Sequence, residues 1–214
     1  MDRFLQTVFL AEIEMQCKLI RIGSAELDRA RSIDQDIGER VKARPVDTEA
    51  LRRLNGESQD SIAQHWFILQ GILIAAANLQ KLFWGSGGRK KGQRQGLREL
   101  LEVSDESCLH DPDLRNDFEH FDERIEHRIA EQGQTGYIAR NIGPAGEDFL
   151  CGEEPHTRFG HYDPATGDLS FWAHSVNVFE IVKEASRVLE LVQAETMRPL
   201  WVQDAEEPPA AEVT

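Results

Sequence analysis

The sequence predicts a mainly α fold: a helical bundle of four to five helices with a short β-hairpin inserted before the last long helix. Three observations carry that expectation. Apolar residues recur at spacings of three and four over several stretches, as they do where one helical face turns to a core. One of those stretches is apolar nearly all round, as expected of a helix central to a bundle or at a subunit interface. Between residues 157 and 173 the pattern changes to two short β-type runs flanking strong turn chemistry.

Residues 2–35 are expected to form the first long helix, with Leu5, Phe9, Ile13, Cys17 and Ile20 on one broad face. The segment from Gly38 to Gly56 is polar, contains Pro45, and reads as a connection with at most a short helix. A second long helix should run from about Ser58 to Trp84, with Ile62, Trp66, Leu69, Leu73, Ala76 and Phe83 as its main stripe. Phe67, Ile68, Ile72 and Ile74 add apolar surface on its other sides.

Residues 85–98, GSGGRKKGQRQGLR, interleave five glycines with basic side chains and read as a flexible basic loop. The loop lacks the lysine followed by serine or threonine of a phosphate-binding P-loop. Two readings stand: a solvated loop, or an RNA contact in which Arg89, Lys90, Lys91 and Arg94 hold a phosphate backbone. Leu97 to Val103 should be a short helix leading into the next element.

That element is Leu114 to Arg128, LRNDFEHFDERIEHR. Asp111 and Pro112 supply an N-cap and a proline at the first helical position. Leu114, Phe118, Phe121, Ile125 and Ile129 share a stripe, and most other positions are charged. The hairpin follows, with strands Thr157–Tyr162 and Leu169–Ala173 around Asp163 to Asp168. From about Ser175 the helical period returns in Val178, Ile181, Val182, Ala185, Val188, Leu189 and Val192, and Pro199 should end it. Residues 1–200 thus read as a single helical domain, and 201–214 as a disordered acidic tail.

Composition narrows the function classes. A chain of 214 residues, 40% hydrophobic and 29% charged, is large enough to bury a core without disulfide staples. The formal net charge of −14 argues against a general nucleic-acid or anionic-membrane coat. Cys17, Cys108 and Cys151 are odd in number and widely spaced, which suits reduced thiols. The N-terminus lacks a signal-peptide pattern, and the most apolar run, Trp66 to Leu79, falls short of the ~18 residues of a membrane span. The expected location is the cytoplasm, with no membrane partner. Cys151, His156, His161 and His174 match no zinc spacing, so no metal and no cofactor is expected.

The string RNDFEH within the charged helix is the place for chemistry. It combines Arg115, Asn116 and His120. A histidine that titrates near neutrality suits removal of a proton from a 2′-hydroxyl, and a forked guanidinium suits charge on a phosphate. Five residues on a helix place Arg115 and His120 roughly 140° apart, so one helix does not easily aim both at one phosphate. A two-fold pairing of such helices does, each site drawing on both chains. Asn116, four residues before His120, is placed to fix the imidazole. The alternative is a salt-bridged helix surface, with Arg115 paired to Glu119 or Asp122.

In this motif the chain resembles the HEPN superfamily (higher eukaryote and prokaryote nucleotide-binding), whose pattern is Arg, a polar residue such as Asn, and His after four to six intervening residues. Arg115, Asn116 and His120 match it. RNDFEHFDER, the upstream AAANLQKLFW and the hairpin before the last helix also resemble a group of uncharacterised bacterial HEPN-like proteins. The resemblance implies a helical bundle that dimerises so that two motif helices face each other. It implies either a metal-independent endoribonuclease of a toxin–antitoxin or defence system, or a catalytically inactive module that binds nucleotides or partner proteins. It therefore implies a homodimer, RNA or a nucleotide as ligand, and an antitoxin as a further partner. Asp122 stands where members regulated by AMP transfer carry tyrosine.

Overall fold

The computed structural model describes residues 2–43, 47–85, 88–110, 123, 125–127, 130, 140–143, 160–171 and 174–197. Their element order is α1 (Arg3–Lys42), α2 (Thr48–Trp84), α3 (Gly88–Gln93), α4 (Gln95–Leu100), β1 (Asn141–Ile142), β2 (Gly160–Tyr162), β3 (Asp168–Phe171), β4 (His174–Asn177) and α5 (Val178–Thr196). The fold is mainly α, with a small sheet before the last long helix, as the periodicity predicts.

α1 and α2 are antiparallel. Gln16 meets Asn78, Gly23 meets Ile72, Asp34 meets Ser61 and Arg40 meets Glu57. Each start is capped by an aspartate: Asp2 accepts from Leu5 N at 2.9 Å, and Asp47 accepts from Glu49 N at 3.0 Å. Gly85, at φ 70°, ends α2 in a conformation that glycine adopts without steric cost. α5 lies antiparallel along α1, with Val178 and Phe179 beside Ser24 and Leu27 at one end and Gln193 bonded to Glu14 at the other. The core lies between these helices, around Ile13, Cys17, Ile20, Leu69, Ile72 and Val188.

Two boundaries differ from the sequence reading. Gly38 and Gly56 lie inside α1 and α2, and the expected 38–56 connection shrinks to residues 43–47. A Cβ at either glycine would meet nothing within 4 Å, so both sit on open helix faces. Each costs only about 1 kcal/mol relative to alanine. Burial of Ile37 and Leu54, and the 2.7 Å pair between Arg40 and Glu57, help offset that cost. α2 is 37 residues long and, by length and composition, apolar enough to cross a membrane, which the 66–79 run alone did not suggest. Half of its most apolar window is buried inside the structure.

The sheet has order β1-β2-β3-β4, with β1 parallel to β2 and the other pairs antiparallel. The predicted hairpin is β2–β3, paired through His161 and Ser170, and it is widened by one short strand on each side. Asp163 closes the turn by accepting from Ala165 N at 2.8 Å, and Gly167 takes a φ of 79°. Asn177 ends β4 and caps α5, accepting from Glu180 N at 3.1 Å while its amide donates to Asp168 Oδ1 at 2.8 Å. This double use delays the helix start to Val178, past the expected Ser175.

Candidate functional site

Arg115, Asn116 and His120 lie outside the described residues, as do residues 201–214 and most of the predicted 114–128 helix. Glu123 and residues 125–127, within that predicted helix, are helical. What the structure details is the approach to the motif, residues 84–110.

The expected flexible basic loop is largely ordered there as α3 and α4, and Lys91, Arg94 and Arg98 have intramolecular work. The last carbonyls of a helix lack intrahelical donors. Arg94 donates to Leu82 O at 3.1 Å, and Arg98, nearly buried, donates to Phe83 O at 2.7 Å and to Lys91 O at 3.1 Å. Both thereby cap the end of α2. The Arg94 guanidinium also lies 4.8 Å from the Phe9 ring centre.

Asp105 gathers the rest. Its Oδ1 accepts from the buried Trp84 indole at 2.6 Å and lies 3.5 Å from Arg98 Nε, while its Oδ2 pairs with Lys91 at 2.9 Å. The Trp84 hydrogen bond, with the Lys91 ammonium behind it, holds the Asp105 carboxyl down at about 2. His110 stacks on Trp84 at 4.2 Å between centroids and hydrogen-bonds the Asp105 carbonyl through Nδ1 at 2.9 Å. Because that carbonyl can only accept, Nδ1 carries the proton. The chain therefore enters residue 111 from a fixed platform.

The depressed carboxyl gives a signed prediction. Its contribution to stability is complete above the unfolded value of about 3.9 and is lost as pH falls through about 2. The stability gap between wild type and Asp105→Asn should be constant above pH ~4 and close below it. Urea unfolding across that range measures the gap; a gap that widens toward pH ~2 contradicts the assignment.

A second polar cluster joins α1 to α2. His65 is 1% exposed, with Nδ1 donating to Ser61 O at 3.0 Å. Its Nε2 faces Asp34 Oδ2 at 3.3 Å with no hydrogen bond formed, and Ser61 Oγ donates to the other Asp34 oxygen. Serine, histidine and aspartate are thus adjacent, but the aspartate stands in the middle. A serine nucleophile needs its hydroxyl proton directed at the imidazole. The arrangement is a clamp between helices.

Burial pushes the Cys17 thiol up to about 12 and the Cys108 thiol up to about 11, with Glu184 adding to both, so neither is an activated nucleophile. Among the described residues no group of three or more His, Cys, Asp or Glu is placed to hold a metal ion. His161 and His174 lie on β2 and β4; Cys151 and His156 lie outside the described residues.

Sequence reading missed both polar clusters. Ser61 and His65 are four apart on a helix, which was legible, but nothing links them to Asp34 along the chain. For Arg94 and Arg98 a signal existed: cations close after a helix C-terminus favour its carbonyls. No family model, curated protein or solved structure matches this chain.

Proposed function

We propose that this chain is a dimeric HEPN-like endoribonuclease that cuts RNA without a metal at a composite site of Arg115, Asn116 and His120. The observation that carries the reading is the string RNDFEH in a mainly helical chain with a small sheet before its last long helix. His120 takes the 2′-hydroxyl proton, and the 2′-oxygen attacks the adjacent phosphorus. The P–O5′ bond breaks, the 5′-oxygen takes a proton from solvent, and the products are a 2′,3′-cyclic phosphate and a 5′-hydroxyl. Arg115 stabilises the charge on the non-bridging oxygens, and Asn116 orients the imidazole. The proposed setting is the cytoplasm, with an antitoxin as regulatory partner.

A second reading, a catalytically inactive HEPN-like module binding a nucleotide or a protein, draws on two observations. Acidic residues Asp117, Glu119, Asp122, Glu123 and Glu126 surround the motif and repel a phosphate backbone. Lys91 and Arg94, two of the four cations assigned to RNA, make intramolecular contacts that RNA would have to replace. Incubating purified protein with total RNA in EDTA separates the readings: cleavage to cyclic-phosphate ends supports the nuclease, and uncut RNA leaves the binding module.

A further inference from the structure

Where α1, α2, β2 and the start of α5 meet, a cavity of about 20 Å³ opens beside Ser24, Asp28 and Arg31 of α1, His65 of α2, Tyr162 of β2 and Phe179 of α5. Its walls carry polar groups that the chain leaves without partners. Tyr162 is 2% exposed, yet its hydroxyl makes no hydrogen bond among the described residues. Of the charges that act on this hydroxyl, Arg31 and Asp28 both line the cavity, so the hydroxyl points into it. Burial holds it above the ordinary phenol value, so it keeps its proton and is a donor. Arg31 is half-buried and forms no hydrogen bond or ion pair among the described residues, although Asp28 lies one turn back on the same helix. Ser24, also half-buried, leaves its hydroxyl equally unpaired.

The start of α5 adds a further donor. Val178 N is bonded to Gly167 O and Glu180 N to Asn177, which leaves the Phe179 N–H as the open one in the first turn. A helix N-terminus carries partial positive charge and favours anions. The nearby carboxylates oppose this only weakly. Asp28 is exposed, so water screens it, whereas Arg31 and Tyr162 are screened less. Asp34 takes the Ser61 hydroxyl and faces His65, and Asp163 accepts from Ala165 N, so both are engaged elsewhere. A water needs roughly 10–15 Å³ of such space, so the cavity admits one oxygen-sized group and no whole phosphate. We propose that it is an oxyanion site: a carboxylate or phosphate group sends one oxygen in between Tyr162 and Arg31 and keeps its remainder at the mouth. The inference uses none of the residues of the composite RNA site and holds under either reading of that site.

The test is thermal unfolding of the full chain, titrated separately with sodium phosphate, acetate and chloride and compared at equal ionic strength. Wild type is expected to show a saturating rise in Tm with phosphate, with acetate or with both, about 3–6 °C at tenfold the Kd. The stronger of the two identifies the group. Arg31→Gln and Tyr162→Phe should each abolish the saturating rise while the helical CD signal is unchanged. Arg31 is only half-buried and Tyr162→Phe deletes a single oxygen, so the result does not hang on one variant. A rise that is linear in salt, or the same in wild type and variants, reflects exclusion of the salt from the whole surface and overturns the site, as does no rise at all. A saturating response to chloride as large as that to the oxyanions overturns the assignment of the ligand.

Discussion

Replacing His120 by alanine is expected to lower RNA cleavage by on the order of 10²-fold or more, the usual scale of a general base. Arg115→Ala should lose a similar factor through the charge it no longer stabilises on the phosphate. Both residues lie off the Leu114–Phe118–Phe121–Ile125 stripe, so helical content and the dimer should be unchanged. Wild-type activity should persist in EDTA, since the 2′-oxygen attack uses no metal. Single-turnover cleavage of a labelled RNA measures these factors. Equal rates for wild type and His120→Ala contradict the assignment.

The largest stability effect is expected at Trp66, which ties α2 to the sheet. It is 1% exposed, meets Phe171 edge-on at 5.5 Å, and has the Arg140 guanidinium 5.4 Å from its ring centre. Gly160 on β2 is pressed against it, and a Cβ there would lie 2.7 Å from its ring. Trp66→Ala should cost about 3–5 kcal/mol, removing packing on both elements and leaving a cavity. For a chain of this size that lowers Tm by roughly 10 °C. Trp66→Phe should cost much less, because the indole N–H has no hydrogen-bond partner among the described residues and none is lost. Thermal unfolding of the pair decides it; equal losses would show that the ring volume is not what matters.

The three long helices were legible because burial follows their period. Ile13, Cys17 and Ile20, then Trp66, Leu69 and Leu73, then Ile181, Ala185 and Val188 were assigned to core faces and are buried. Leu5 was assigned to the same face as Ile13 but is exposed, since it lies in the first turn of α1, near the end of the pair. Helix ends were less legible, because Gly38 and Gly56 read as breakers while contacts between α1 and α2 carry the helices past them. α3 was hidden in a glycine-rich segment with no apolar period, whereas the short helix expected over Leu97–Val103 overlaps α4, which starts two residues earlier and ends at Leu100. β1 and β4, of two and four residues, are too short to show an alternation. At the motif, the sequence supplies residue types and spacing, and the pairing of two copies is argued from helical geometry alone.

That pairing is the central claim, and mixing two inactive variants tests it most directly. If Arg115 of one copy works with His120 of the other, a heterodimer of Arg115→Ala and His120→Ala retains one site with both groups. Random re-pairing makes about half the dimers mixed, each with one of two sites intact, so activity should return to roughly a quarter of wild type. The account predicts that recovery after co-refolding the two variants. A mixture that stays as inactive as its components, while sedimenting as a dimer, would contradict it.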